Sequence, residues 1–396
     1  MQAASNLRFE WVTDAQRFLQ LRDVWNALGA SAISTVFLTH DWLSIWLEEL
    51  APETQLHVLT AWDGERLVGA FPLCASPAES RGRKWTLMGV GTLTPNHLDI
   101  IAEPDVLDVV RARLVVMLLE ERANWDVLEL DKLPADTGTP EALQAAFAAA
   151  GLATSCSVSA VCAYCDLPST PEEYAAQRKK RIRKQIRGAM RWLDERPETR
   201  KLAIANSEAE ALDAQAHLVR FHQARWQAKG YPGAFADPRV VRFHERMVVA
   251  AQAAGYLRMY SLIDGGEVVA VSYNYRVGPT VQGYLSSFDD RWSEDSPGLT
   301  LRVGVMNESI LDGATRFDFL EGTESYKASW CSGQRENVRL SVFNRTIAGK
   351  TAQMKLAAGE ATVHLARAVM PQEMRERVVK AIARKHASGQ TDNTDS

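Results

Sequence analysis

Gly283-Tyr-Leu-Ser-Ser-Phe288, Ser296-Pro-Gly-Leu-Thr300, Arg316-Phe-Asp-Phe-Leu-Glu-Gly322 and Ser325-Tyr-Lys-Ala-Ser-Trp330 follow one another in the chain, and their reading decides the fold. The pattern is a strand, a loop, a helix, a second strand and a last polar and aromatic turn. Leu299, Val303, Met306 and Ile310 recur at helical spacing as one apolar stripe, Pro297-Gly298 opens the helix and Gly313 stands at its stop. A strand, a tight turn and a helix N-terminus together make an anion site. Free backbone N–H groups and the positive end of the helix dipole favour phosphate there.

The surroundings bound what such a site serves. With 396 residues, 46% of them apolar, the chain can bury a large core, and its length predicts two or more domains. A net charge of −4 gives no global attraction to nucleic acid, and no DNA partner is expected. The first 30 residues lack a signal-peptide pattern, and no uncharged apolar run reaches the roughly 18 to 20 residues of a membrane span, so a cytoplasmic protein without a transmembrane segment is expected. Cys74, Cys156, Cys162, Cys165 and Cys331 are odd in number and thinly spread, which predicts free thiols. Cys162-Ala-Tyr-Cys165 matches C-x-x-C, yet on a strand from Ser157 to Leu167 residues three apart face opposite ways, and no second Cys or His pair lies nearby. No metal is expected.

The first lobe, residues 1–167, opens with a helix capped by Thr39 and faced by Leu43, Trp46, Leu47 and Leu50. A hairpin follows, Leu56 to Trp62 and Leu67 to Cys74 around Asp63-Gly64. Then come a strand from Thr92 to Ile101, a helix from Val106 to Arg122, a buried strand Trp125 to Leu130, a helix Glu141 to Ala149 and the cysteine-bearing strand. The order returns later: Asp264-Gly265 repeats the hairpin turn, and Phe317-Asp-Phe-Leu320 repeats Trp125-Asp-Val-Leu128. The unit is read as duplicated. The first copy has neither Ser-Pro-Gly nor Tyr-Lys, so it shapes a cleft rather than carrying chemistry; Asn96-His97-Leu98-Asp99 is its polar patch among apolar neighbours.

Residues 168–201 form a basic connector, with one helix from Glu172 to Leu193 that includes Arg178-Lys-Lys-Arg-Ile-Arg-Lys-Gln-Ile-Arg187. It serves either as a solvated bridge or as a contact for a phosphorylated donor or substrate. The second lobe, residues 202–346, begins with the capping box Ser207-x-x-Glu210 and a second helix start at Asp237-Pro238, and continues with strands Leu257 to Ile263, Glu267 to Arg276 and Thr280 to Phe288. Residues 347–396 add a helix with a loose apolar stripe (Met354, Val363, Leu365, Val369) and a polar tail, Ser388 to Ser396, expected to be disordered.

This order, with Ser296-Pro297-Gly298, Phe317-Asp318-Phe319 and Tyr326-Lys327 in sequence, resembles the acyltransferase branch of the GNAT superfamily, and more narrowly its two-lobed CelD-like and Fem-type transferases, over roughly residues 37 to 346. The resemblance implies an α/β fold of tandem GNAT-like lobes, each a mixed twisted sheet flanked by helices. It also implies that two central parallel strands splay, here Gln282 to Phe288 and Arg316 to Leu320, with a thioester lying in the gap. Amine attack on a thioester needs a neutral amine, donors for the oxyanion and a proton for the thiolate. By resemblance Tyr326 protonates the thiolate, Glu321 deprotonates the amine, and Lys327 stabilises an oxyanion or holds a phosphate. Asp318, on the opposite sheet face from Glu321, orients Lys327 or a substrate amine.

Ser296, Gly298, Leu299 and Thr300 are the candidates for holding acyl-CoA, acetyl-CoA first among such donors; Tyr284, Ser286, Trp330, His97 and Asp99 are those for binding substrate. The implied acceptor is a small-molecule or glycan-precursor amine, on an amino sugar or envelope precursor. One departure concerns the donor. The GNAT cradle runs Arg or Gln, two residues, Gly, one residue, Gly or Ala, whereas Asp295-Ser296-Pro297-Gly298-Leu299-Thr300 has one glycine and no N–H at Pro297. Fem-type enzymes share that degraded cradle and use aminoacyl-tRNA, although their long helical hairpin has no counterpart beyond Ser207 to Gly255. An aminoacyl-tRNA-dependent transferase is therefore one alternative, and a non-catalytic binding protein another.

Overall fold

The computed structural model describes residues 7–75, 83–91, 93–322 and 327–369. Its first half supplies strands β1 (Arg8–Val12), β2 (Gln55–Asp63), β3 (Arg66–Ala75), β4 (Lys84–Leu87), β5 (Ile101–Ala102), β6 (Val127–Pro134) and β7 (Ala153–Asp166). The second half supplies β8 (Arg200–Ile204), β9 (Leu257–Asp264), β10 (Glu267–Val277), β11 (Thr280–Phe288), β12 (Arg316–Glu321) and β13 (Gly333–Phe343). All join one 13-stranded sheet in the order β1-β2-β3-β4-β6-β13-β7-β12-β11-β10-β9-β8, with β5 on β3.

The duplication is visible in the pairing. The β2–β3 hairpin turns at Gly64 (φ 62) and the β9–β10 hairpin at Gly265 (φ 58), left-handed conformations that glycine adopts without a Cβ penalty. Among the strands of the described residues each half contains one parallel pair, β4 with β6 and β11 with β12. The halves then trade their last strands. β13, placed by sequence in the second lobe, lies between β6 and β7, while β7 from the first lobe pairs with β12. Alternation of side chains is the same whichever neighbour a strand takes, so sequence pattern alone does not reveal this exchange.

Local signals set the helices. Thr39 caps His40–Leu50 by accepting from the Trp42 N–H, Ser207 caps Glu208–Gln227 and Asp237 caps Pro238–Ala253. The expected connector helix is instead two, Pro171–Ala176 and Lys180–Asp194, because Lys179 is extended (ψ 152) and Arg178 turns inward to donate to the Trp330 carbonyl at 3.0 Å. Lys180–Asp194 buries Ile182, Ile186 and Ala189 and packs on the helix Pro297–Leu311, leaving its lysines and arginines exposed. The strand expected from Thr92 to Ile101 shrinks to β5. His97 takes a left-handed conformation (φ 59), which interrupts an extended chain, and Thr92 lies outside the described residues.

One apolar core runs across both halves, with Trp42 packed edge-on to Phe243 (4.9 Å), Tyr275 (6.2 Å) and Tyr284 (5.6 Å). A second lies on the other side of the second half, where Tyr174, Ile182, Met306 and Trp330 meet Phe317 and Phe319. The cysteines of the C-x-x-C pair separate. Cys165 joins that second core, and Cys162 hydrogen-bonds Asn96 Oδ1 at 3.3 Å. Among the described residues no helix is long and apolar enough to cross a membrane. The C-terminal helix Ile347–Val369 keeps Ile347 and Met354 exposed; the tail from Ser388 to Ser396 lies outside the described residues.

Candidate active site

β11 and β12 are in register only at Thr280 with Arg316, Val281 with Phe317 and Gln282 with Asp318. Beyond Gln282 they part: β11 continues against β10 alone and β12 against β7 alone. Two bulges shape the gap. In β11 the register with β10 jumps from Gly283 opposite Asn274 to Leu285 opposite Tyr273, leaving Tyr284 as the extra residue. In β12 the register breaks between Asp318 and Glu321, and Leu320 there has φ 53. Gly283 marks the fork, since a Cβ on it would stand 2.9 Å from Phe317 Cε1.

A cavity of about 600 Å³ fills the fork. Its floor is Gly283 to Ser287 of β11, with Phe317, Phe319 and Glu321 on the facing strand and Gly298, Leu301, Arg302 and Val305 from the helix Pro297–Leu311. Phe317 and Phe319 sit 4.8 Å apart as one apolar wall. His222, Arg225, Trp226 and Lys229, one helical stripe at the end of Glu208–Gln227 and just past it, close the roof, and Thr94 reaches in from the first half. Arg225 lies over the Phe288 ring (5.5 Å), Lys229 over Trp226 (5.3 Å) and Arg302 over Trp330 (5.7 Å). A larger cavity of about 990 Å³ lies between His40–Leu50, Glu208–Gln227 and Pro238–Ala253, away from the splayed strand ends.

The site residues named from sequence fall into three groups. Tyr284, Ser286, Gly298 and Glu321 line the fork cavity together. Glu321 accepts a hydrogen bond from Lys132 Nζ at 2.7 Å, and Tyr284, packed among Trp42, Tyr273 and Tyr275, has its hydroxyl pKa raised by burial. A second group lies elsewhere. Asp318 is buried, with Oδ2 2.8 Å from His97 Nε2 and Oδ1 accepting the Leu320 N–H at 2.7 Å, so its partners are His97 and the bulge rather than a substrate. His97 is 2% exposed, with Nδ1 3.0 Å from Asn337 Oδ1. Asp99, whose pKa burial raises against hydrogen bonds from Thr137 and Thr139, also lies outside the cavity lining. Trp330 is a core residue, 2% exposed, and Leu299 and Thr300 turn away from the cavity. For the third group, Tyr326 lies outside the described residues; Lys327 opens the short helix Lys327–Trp330, its side chain likewise outside them.

The anion site differs from the expected one. Ser296 adopts φ 54 and ψ 48 without capping the helix through its side chain. Its carbonyl takes the N–H groups of Leu299 (2.9 Å) and Thr300 (3.4 Å), and Pro297 has none to give. Backbone donors are thus few, while Arg225, Lys229 and Arg302 bring three cations to the same cavity. Sequence reading missed Arg225, Trp226 and Lys229, although the spacing of His222, Arg225, Trp226 and Lys229 marks a polar and aromatic continuation of the helix's inward stripe.

A splayed parallel pair beside a helix N-terminus matches what comparison with known proteins finds. The family described as "Acetyltransferase (GNAT) domain" matches residues 180–328. Residues 180–328 form a GNAT acetyltransferase domain. Among solved structures the chain is similar to FemX at 10% identity and TM-score 0.58, over 83% of this chain and 96% of that one. It is also similar to the C-terminal DUF2156 domain of a putative lysylphosphatidylglycerol synthetase from Agrobacterium fabrum (13% identity, TM-score 0.52, 88% and 97% covered). L-PGS from Bacillus licheniformis is a third such structure (12% identity, TM-score 0.50, 87% and 94% covered). At these identities the likeness is one of fold. A search of the curated proteins finds no match.

Proposed function

We propose that this protein is a GNAT-type acyltransferase that moves an acyl group, acetyl first, from acyl-CoA to the amine of an amino sugar or of a cell-envelope or exopolysaccharide precursor. The observation that carries the reading is the fork between β11 and β12, an apolar slot with a bulged backbone on one side and a carboxylate on the other. In this reading the thioester carbonyl lies against the bulge at Tyr284, the residue that falls outside the register with β10, and its N–H serves the developing oxyanion. Glu321 takes a proton from the amine, the nitrogen lone pair forms the new N–C bond, the C–S bond breaks, and the departing thiolate takes up a proton. Tyr326 as the donor of that proton and Lys327 as an oxyanion partner are roles carried over from the family resemblance. The phosphates of the donor meet Arg225, Lys229 and Arg302 at the Gly298 end, side-chain cations doing what a glycine-rich cradle does elsewhere.

A second reading, an aminoacyl-tRNA donor, is favoured by the sparse backbone cradle and by the exposed basic face of Lys180–Asp194 beside that helix. The donors separate in one experiment. Melting of the purified protein is followed with acetyl-CoA, longer acyl-CoAs and free coenzyme A, and repeated with Arg302→Ala. A donor at about 100 times its Kd adds roughly 2.7 kcal/mol. A rise in Tm that shrinks in the variant supports acyl-CoA held at this end of the cavity. No rise with any coenzyme A species removes that donor in favour of the second reading.

A further inference from the structure

Among the described residues four non-glycines have positive φ, and three of them meet at one seam: His97 (φ 59), Lys132 (φ 66) and Leu320 (φ 53). The Leu98 N–H donates to the Lys132 carbonyl at 2.9 Å, tying the first two together. Leu320 lies between Asp318, paired with His97 at 2.8 Å, and Glu321, paired with Lys132 Nζ at 2.7 Å. Two side chains of the first half therefore grip β12 on either side of its bulge. Conformations of this kind cost free energy and concentrate where a site needs a fixed geometry. Stability does not account for the outer grip, because Glu321 is 39% exposed and ion pairs so open to solvent contribute little.

We propose that Lys132 is a positioning residue of the active site. Its ammonium holds the Glu321 carboxylate in one orientation at the rim of the fork, so the first half of the chain aims the group that takes the proton. This rests on the reading of Glu321 as the proton acceptor. The left-handed backbone at Lys132 is what delivers the side chain: it ends regular alternation along β6, and the preceding Asp131 carboxylate fixes the turn by accepting the Lys132 N–H at 2.7 Å while pairing with Arg339 at 2.6 Å.

The test follows thiol release from acetyl-CoA with glucosamine as acceptor, for the full chain and for Lys132→Met, Lys132→Arg, Glu321→Gln and the double variant Lys132→Met with Glu321→Gln. Misplacing a reacting group by about an ångström costs on the order of a hundredfold in rate. The expectation for Lys132→Met is a kcat about tenfold to a hundredfold lower, with KM for acetyl-CoA within about twofold and an unchanged Tm. Lys132→Arg restores most of the rate, and the double variant is no slower than Glu321→Gln alone. The proposal is overturned by a wild-type kcat in Lys132→Met, or by losses that multiply in the double variant. An active Glu321→Gln, or a wild-type chain that releases no thiol, overturns instead the reading of the site on which the proposal stands.

Discussion

His244, on the helix Pro238–Ala253, is a group through which this protein's stability depends on acid. Its ring sits among Phe243 (4.9 Å), Tyr284 (5.4 Å), Phe235 (5.5 Å) and Tyr273 (5.9 Å), is 2% exposed, and leaves Nδ1 without a partner. Burial drives its pKa from 6.5 to about 3, with the charge of nearby His222 a lesser cause. Between those values the unfolded chain binds a proton that the folded chain refuses, so stability is full above pH 6.5 and falls as the pH drops toward 3. At pH 5.0 the loss for this one group is RT ln(1 + 10^1.5), about 2 kcal/mol, and below pH 3 it approaches roughly 5 kcal/mol. Phenylalanine at 244 keeps a ring in the cage and removes the titration. Urea unfolding of wild type and His244→Phe, followed by tryptophan fluorescence at pH 7.5 and 5.0, reads the difference. Wild type should lose about 2 kcal/mol more than the variant between the two pH values. His40 and His57, whose pKa values burial also lowers, titrate in both proteins and cancel. Equal losses in the two proteins would refute the reasoning.

Two further outcomes test the fork and the seam. Gly283→Ala puts a Cβ 2.9 Å from Phe317 Cε1 and 3.1 Å from Cζ, so the ring must move into the slot. The variant should lose roughly 1 to 3 kcal/mol of stability and most of its donor-induced Tm shift, and a shift of wild-type size would show that the slot is not where the donor lies. His97→Ala leaves the buried Asp318 and Asn337 without their shared partner and should cost roughly 2 to 3 kcal/mol in urea unfolding. A loss under about 0.5 kcal/mol would mean that the seam does not depend on that pair.

What sequence revealed and what it hid divide by the range of the interaction. Thr39, Ser207, Asp237, Asp63-Gly64 and Asp264-Gly265 announced their helices and turns because each acts on backbone within four residues of itself. The duplicated order of hairpin and strand was legible for the same reason, whereas the fork was expected only from the family resemblance. The groups that complete the site come from far along the chain: Lys132 reaches Glu321 across 189 positions and His97 reaches Asp318 across 221. Asn96-His97-Leu98-Asp99 looked like a polar patch available to substrate, yet its apolar neighbours were the sign of burial, and its polar atoms are spent on Asn337, Asp318, Cys162 and the chain itself. The exchange of β7 and β13 explains why the seam exists at all. Each half's sheet is closed by the other's last strand, so β12 can be gripped from the first half only where β7 brings the two together.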